Sequence, residues 1–258
     1  MADLHSVLGI LKSLIIYYGI PFRKARMKAF YGQFIRPGSL CFDIGAHVGN
    51  RIRAWSALGA RIVAAEPHPA CRRVLAALYG GRCNVTLVPQ ALGARSGTRL
   101  LHICKDSPSL STLSTDWIDT VGRTRIFRGV EWETGVPVDV TTLDELVRTF
   151  GEPDFVKIDV EGFELEVLSG LSRPLRCLSF EYLPADRDAA ASCVRRLGEL
   201  GRYEFNLSRV ETMRMTWPDW RTERDVIGVL SQLPRDGRSG DVYARLVSTK
   251  QPKGWLAR

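Results

Sequence analysis

Residues 41–50 read Cys-Phe-Asp-Ile-Gly-Ala-His-Val-Gly-Asn, CFDIGAHVGN. An apolar run closed by a glycine turn is how a buried parallel strand commonly ends beside a nucleotide. Around it the pattern repeats. SLCFDIG (39–45) predicts a strand and GNRIRAWSAL (49–58) a helix. ARIVAAEP (60–67) predicts a second strand, PACRRVLAALYG (69–80) a second helix, and NVTLVPQAL (84–92) a third strand. Strand, helix, strand, helix, strand at this spacing implies right-handed crossovers and a parallel sheet.

Downstream the rhythm loosens and then resumes. TRLLHIC (98–104) and VPVDVTTL (136–143) predict strands on either side of a long polar stretch, about 105–135. A connection of that length inside a compact domain is usually functional or mobile. TTLDELVRTF (141–150) predicts a helix capped by Thr141 or Thr142. DFVKIDV (154–160) and LRCLSFEYL (175–183) predict strands, and EGFELEVLSGL (161–171) and DRDAAASCVRRLGELG (186–201) helices. YEFNLS (203–208) and GDVYARLVS (240–248) form an expected closing pair, with residues 212–240 irregular between them.

The bulk numbers bound the function. A chain of 258 residues with 45% hydrophobic residues builds one large α/β domain with additions, not a disordered segment. The net charge of +8 favours anionic partners or is simply a solvated basic surface. Six scattered cysteines share no Cys-x-x-Cys spacing and no histidine cluster, so buried thiols of a cytoplasmic protein are expected and zinc is not. The apolar stretch Val7 to Ile20 contains Lys12 and is too short to span a bilayer; it lacks a basic leader and a small-residue cleavage site. Arg23, Lys24, Arg26 and Lys28 follow it. Residues 1–36 are therefore expected to be an N-terminal helical lid, or helices in peripheral contact with an anionic membrane. The domain proper is expected over 37–258, with an insertion at about 105–135.

The turn after the first strand selects its ligand. Glycines let a backbone approach a ligand closely, and the following helix offers free N–H groups. Glu66 ends the second strand, seventeen residues after Gly49, where a carboxylate can accept both hydroxyls of a ribose. A dinucleotide is disfavoured because Gly-x-Gly-x-x-Gly is absent. Asp43 also stands at the turn, where an acid suits an ammonium better than a pyrophosphate. S-adenosylmethionine carries that ammonium and a sulfonium.

The segments FDIGAHVG, AAEPHP, VPQALG, TTLDEL, FVKIDVEGFELEVLSGL and SFEYL occur in the order seen in FkbM-type S-adenosylmethionine-dependent methyltransferases, which this chain resembles from about Pro37 to Leu183. The resemblance implies a class I, Rossmann-like methyltransferase fold: a mainly parallel twisted sheet, helices on both faces, and a terminal antiparallel strand. It implies methyl transfer to a hydroxyl of a sugar, glycolipid or natural product. It also implies that Asp43, Gly45, Ala46 and Gly49 line the methionine end, that Glu66 with Pro67 holds the ribose, and that Gln90 and Ala91 border the adenine. His47 stands where methyltransferases often have glycine, and Ala94 where an acid is expected.

Methyl transfer to an alcohol needs alignment and a proton acceptor. Strand alternation places Lys157 and Asp159 on one face, and two charges in a buried strand must be paired or used. Asp159 is the expected base and cofactor neighbour, with Lys157 paired to Asp159 or Asp43. Glu161, expected to open the next helix, Glu181 and His47 complete the candidate catalytic set. Three acids at one rim also suit a divalent metal, but no metal is expected. Arg123, Arg125, Arg128 and Trp132 are candidates for binding an anionic or sugar acceptor. An RNA, DNA or amine acceptor is the alternative, although Asp-Val-Glu-Gly stands where the Asn/Asp-Pro-Pro-Tyr/Phe motif of base-amine methylation would stand, so nucleic acid is disfavoured. A NAD-dependent dehydrogenase is a weaker reading.

Overall fold

The computed structural model describes residues 4–133, 135–210 and 212–247. The final residues of the expected 37–258 domain, 248–258, lie outside the described residues. The chain runs α1 (Leu4–Tyr18), α2 (Arg23–Tyr31), β1 (Leu40–Ile44), α3 (Asn50–Ser56), β2 (Arg61–Ala65), α4 (Pro69–Tyr79) and β3 (Val85–Val88). After these come β4 (Ala91–Leu92), β5 (Gly97–Leu101), α5 (Thr115–Gly122), β6 (Val136–Thr141), α6 (Leu143–Phe150) and β7 (Phe155–Ile158). The last elements are α7 (Glu164–Ser169), β8 (Cys177–Tyr182), α8 (Arg187–Leu200), β9 (Tyr203–Arg209), α9 (Glu223–Ser231) and β10 (Gly240–Leu246).

Seven strands form one sheet in the order β3-β2-β1-β7-β8-β10-β9. The pairings from β3 to β8 are parallel, and β10 runs antiparallel between β8 and β9. This is the class I methyltransferase arrangement that the resemblance implied. Strand order reverses at β1, between β2 and β7, which opens a crevice at the carboxyl ends of these strands. Strand β1 is buried along its whole length, so its two faces feed two cores. Leu40, Phe42 and Ile44 pack with residues of α6, α7, α8 and α9. Cys41 packs on the other side with Met27, Phe30 and Tyr31 of α2, Trp55 of α3 and Leu75 of α4. Asp43 has the parity of Cys41 and therefore lies under the α2–α3 layer.

Several boundaries differ from the sequence expectation, each for a local reason. The third strand breaks at Pro89, which has no N–H to donate. Its second half, β4, joins β6 and β5 in a separate three-stranded sheet. The stretch 105–135 is ordered by a 3-10 turn at Pro108–Leu110 and by α5, whose N-cap Ser114 accepts from the Trp117 N–H. Thr142, not Thr141, caps α6. The expected irregular stretch 212–240 contains α9, started by a Thr222–Asp225 capping box. Helix α7 begins at Glu164, so Glu161 sits in the preceding loop at φ +53°. All six cysteines are free and all but Cys83 are buried. Among the described residues no helix is long and apolar enough to cross a membrane.

Candidate active site

The crevice at the ends of β1, β2 and β7 holds a cavity of about 280 Å³. Its floor depends on one glycine. Gly45 has φ +81°, and a Cβ there would run into the Asp159 carbonyl, so the ends of β1 and β7 could not approach this closely with any other residue. His47 follows at φ +50°, a left-handed conformation that is uncommon outside glycine. Glu66 secures this turn. Its carboxylate accepts the His47 N–H at 2.7 Å and the His68 N–H at 2.8 Å, tying the end of β1 to the end of β2. Burial pushes Glu66 up to about 7, against the pull of these two N–H bonds. An ionised carboxylate has about four acceptor positions. Two remain on Glu66 for a pair of ribose hydroxyls, and the residue faces the cavity, so the site fits the adenosine part of S-adenosylmethionine.

Of the residues that the sequence reading singled out, Gly45, His47, Glu66, Pro67, Gln90, Ala91, Asp159, Glu161 and Glu181 line this cavity. Asp43, Ala46, Gly49 and Lys157 do not; they form the layer behind its wall. Asp43 is fully buried and pairs with Arg51, Nε to Oδ1 at 2.7 Å. Burial raises its proton affinity and the guanidinium opposes that. Ala46 and Gly49 face apolar neighbours: Ala46 sits in the second core, and Gly49 abuts Tyr79 and Leu75. Lys157 bonds Asp241 of β10 at 2.8 Å and lies 3.6 Å from Asp159. Of the two expected partners it therefore meets Asp159, and a third, Asp241, is closer.

Arg51 escaped the sequence reading, yet it organises this region. From the first turn of α3 it reaches Asp43, the Asp159 carboxylate at 2.8 Å and the Gly45 carbonyl at 2.8 Å. It also lines the cavity. A signal was present: an acid inside a buried strand requires a cation, and Arg51 is the first one after it, in the first turn of the next helix.

The three acids at the β7 and β8 ends differ in charge state. Burial pushes the Asp159 carboxyl up, but Lys157 and Arg51 outweigh burial and hold it well below the usual carboxylate range. Glu161 is raised well above that range by burial and by repulsion from Asp159 and Glu164. Glu181 is raised in the same way by burial and by Asp159 and Glu161. Oxygens of Asp159, Glu161 and Glu181 lie within 4.8 Å of one another, a spacing that a cation could also bridge. His47 is pushed down to about 4 by burial and by Arg51, and its ring meets Tyr17 of α1 edge-on at 5.5 Å. Its ring is therefore neutral at neutral pH. His68 is also neutral, lowered to about 4 by burial, and its Nδ1 caps α4.

A second chamber of about 120 Å³ opens beside the first, and Leu110, Glu161, Glu181 and Ser239 border both. Its walls add Trp117, Phe127, Glu164 and Asp186. Arg123, Arg125 and Arg128 line neither chamber and are exposed. Trp132 serves the wall, donating its indole N–H to the Leu110 carbonyl at 2.7 Å and packing on Trp117. The insertion thus contributes aromatic rings and no cation to the chamber.

The model of the methyltransferase FkbM domain matches residues 43–185. The chain belongs to this family. It is an S-adenosylmethionine-dependent methyltransferase, and the matched segment carries the Gly45 turn, Glu66 and all three rim acids. Among solved structures, this FkbM methyltransferase is similar to precorrin-6y C5,15-methyltransferase from Geobacter metallireducens, at 15% identity over 85% of this chain and 87% of that one, TM-score 0.46. It is similar to Aeropyrum pernix fibrillarin with bound S-adenosyl-L-methionine, at 12% identity over 82% and 68%, TM-score 0.44. It is also similar to cofactor-bound Rv0187 from MTB, at 13% identity over 95% and 91%, TM-score 0.44. No protein of curated function matches the sequence.

Proposed function

We propose that this FkbM methyltransferase moves a methyl group to a hydroxyl of a sugar, glycolipid or natural product. It would act in the cytoplasm, with peripheral membrane contact through its N-terminal helices. The observation that carries this reading is the polarity of one continuous site. A backbone-tied carboxylate, Glu66, stands at one end, and two carboxylates of raised proton affinity, Glu161 and Glu181, stand at the other.

S-adenosylmethionine, when bound, supplies an electrophilic methyl group on a sulfonium. Glu66 holds the ribose, while Pro67, Gln90 and Ala91 border the adenosine. Asp43 acts one layer back by holding Arg51, which fixes the Gly45 turn and Asp159. Asp159 stays ionised and orients; its low proton affinity makes it a poor base. Glu161 and Glu181 resist ionising together, and the one of the pair that is ionised takes the single proton that leaves the acceptor hydroxyl. The second chamber holds the acceptor. Its lining holds four acids, Glu161, Glu164, Glu181 and Asp186, and no cation to pair with a phosphate, which counts against nucleic acid, and its rings Trp117 and Phe127 suit the apolar face of a sugar. In this reading residues 1–36 are an appendage whose α1 roofs the cavity, on a domain over 37–258 with an insertion at about 105–135.

The test is transfer of labelled methyl from S-adenosylmethionine to a panel of neutral, cationic and phosphorylated hydroxyl acceptors, with RNA and an amine alongside. Label on the oxygen of a neutral or cationic acceptor is expected. Label on RNA or on nitrogen alone would contradict the reading.

A further inference from the structure

Helix α1 has two faces of different character. Ile10, Ser13, Leu14 and Tyr17 repeat at i, i+3, i+4 and i+7 and turn inward. Ile10 and Ser13 are buried, Leu14 and Tyr17 pack in the cluster around Val48 and Cys71, and Tyr17 lines the cofactor cavity. The Tyr18 hydroxyl donates to the Val48 carbonyl at 2.8 Å, fastening the helix over the β1 turn. Leu8, Leu11 and Ile15 repeat at i, i+3 and i+7 on the opposite side and are exposed, as are Val7 and Ile16. Ile15 is 71% exposed. The turn that follows adds Ile20 and Phe22, the latter 81% exposed and held at φ +61°. Among the described residues, seven of the ten large apolar side chains that are exposed lie between Val7 and Phe22. A surface this apolar and contiguous marks a contact with another phase or molecule.

Charge decides between the occupants. No acid occurs from Leu4 to Phe42, and Lys12, Lys24, Arg26 and Lys28 are exposed around the apolar face. An apolar strip whose own helices carry cations and no acid complements a hydrocarbon layer under anionic headgroups. A second copy of the same face would bring like charges together. The helix has 15 residues, about 22 Å at 1.5 Å per residue, which is too short to span a bilayer but long enough to lie along one.

We infer that α1 and the α1–α2 turn dock this protein on anionic bilayers. Leu8, Leu11, Ile15 and Phe22 enter the interface, and Lys24, Arg26 and Lys28 hold headgroup phosphates. This rests on the peripheral contact of the proposed function and gives it a lipid charge and a set of inserted residues. Because Tyr17 lines the cavity from the inner side of the same helix, docking sets the cofactor site about one helix diameter, roughly 10 Å, from the headgroups.

The experiment is co-sedimentation of the full chain with vesicles of phosphatidylcholine alone and of phosphatidylcholine with phosphatidylglycerol. Sedimentation velocity without lipid and a titration with S-adenosylhomocysteine run beside it. Binding to the mixed vesicles, weakened by salt and poor on neutral ones, is expected. The I15S/F22S double variant should lower partitioning about tenfold. The K24Q/R26Q/K28Q variant should lose the preference for anionic vesicles, again by about tenfold or more. Both variants should keep the melting temperature and S-adenosylhomocysteine affinity of the parent. Equal binding to neutral and anionic vesicles would overturn the inference while leaving membrane contact standing. A dimer that Ile15→Ser splits, with no vesicle binding, would overturn both. Loss of S-adenosylhomocysteine binding in the parent chain would instead strike the methyltransferase reading.

Discussion

The two ends of the site are both built on glutamate, and they use it in opposite ways. At the β2 end, Glu66 is immobilised by two backbone N–H bonds and stands apart from other acids facing the cavity. At the β7 and β8 ends, Glu161, Glu181 and Asp159 face one another, with one of the three satisfied by Arg51 and Lys157. The first arrangement makes a fixed acceptor for hydroxyl groups. The second stores proton affinity, because like charges in a desolvated rim resist ionising together. In the proposed reading one side chain type serves binding where the backbone holds it and proton transfer where its neighbours crowd it.

Arg51 links the two ends, and its removal should have the largest effect. Arg51→Met leaves Asp43 buried without its cation, and a loss of about 3–5 kcal/mol in unfolding free energy is expected from denaturant titration. A loss under about 1 kcal/mol would show that Asp43 is neutral in the fold and that the link is unimportant. The next effect should fall on one end alone. Glu161→Gln should reduce turnover by about a hundredfold or more while S-adenosylhomocysteine binding is unchanged. Unchanged turnover with a true acceptor would move the base elsewhere, and Glu181→Gln would then be the comparison.

A smaller effect separates the acids by pH. Glu164 lies 7% exposed at the edge of the second chamber, and burial pushes it up to about 7 from an ordinary 4.5. A carboxyl whose folded value is raised contributes stability below about 4.5 and loses it as pH rises through about 7. The melting temperature of Glu164→Gln relative to the parent should therefore climb from pH 4.5 to pH 7 and level off above it. A flat difference across that window would show that Glu164 titrates normally.

The local build of the end proposed for the cofactor was legible in the chain; that of the other end was legible only in part. Glycine turn, following helix and Glu66 are local features, each set by backbone conformation within a few residues. In the sequence Asp43, an acid at the turn, reads as a partner for the cofactor's ammonium. Strand parity and the α2–α3 layer put it behind Arg51 instead. The sequence of 161–171 reads as a helix that Glu161 opens, but the left-handed backbone at Glu161 and Gly162 delays the helix to Glu164. The arginines of the insertion, with Trp132, suggest an anionic or sugar acceptor. The fold turns Trp117 and Phe127 into the second chamber and leaves those arginines on the surface, and nothing in the local pattern announces which side of a short helix will face it.

The contrast between the two ends is tested most directly by calorimetric titration of S-adenosylhomocysteine into the parent, Glu66→Ala and Glu161→Gln. Charged hydrogen bonds to two hydroxyls imply that Glu66→Ala weakens binding by about a hundredfold, while Glu161→Gln binds as the parent does. Equal losses in the two variants, or parent-like affinity in Glu66→Ala, would contradict the assignment of cofactor and proton chemistry to opposite ends.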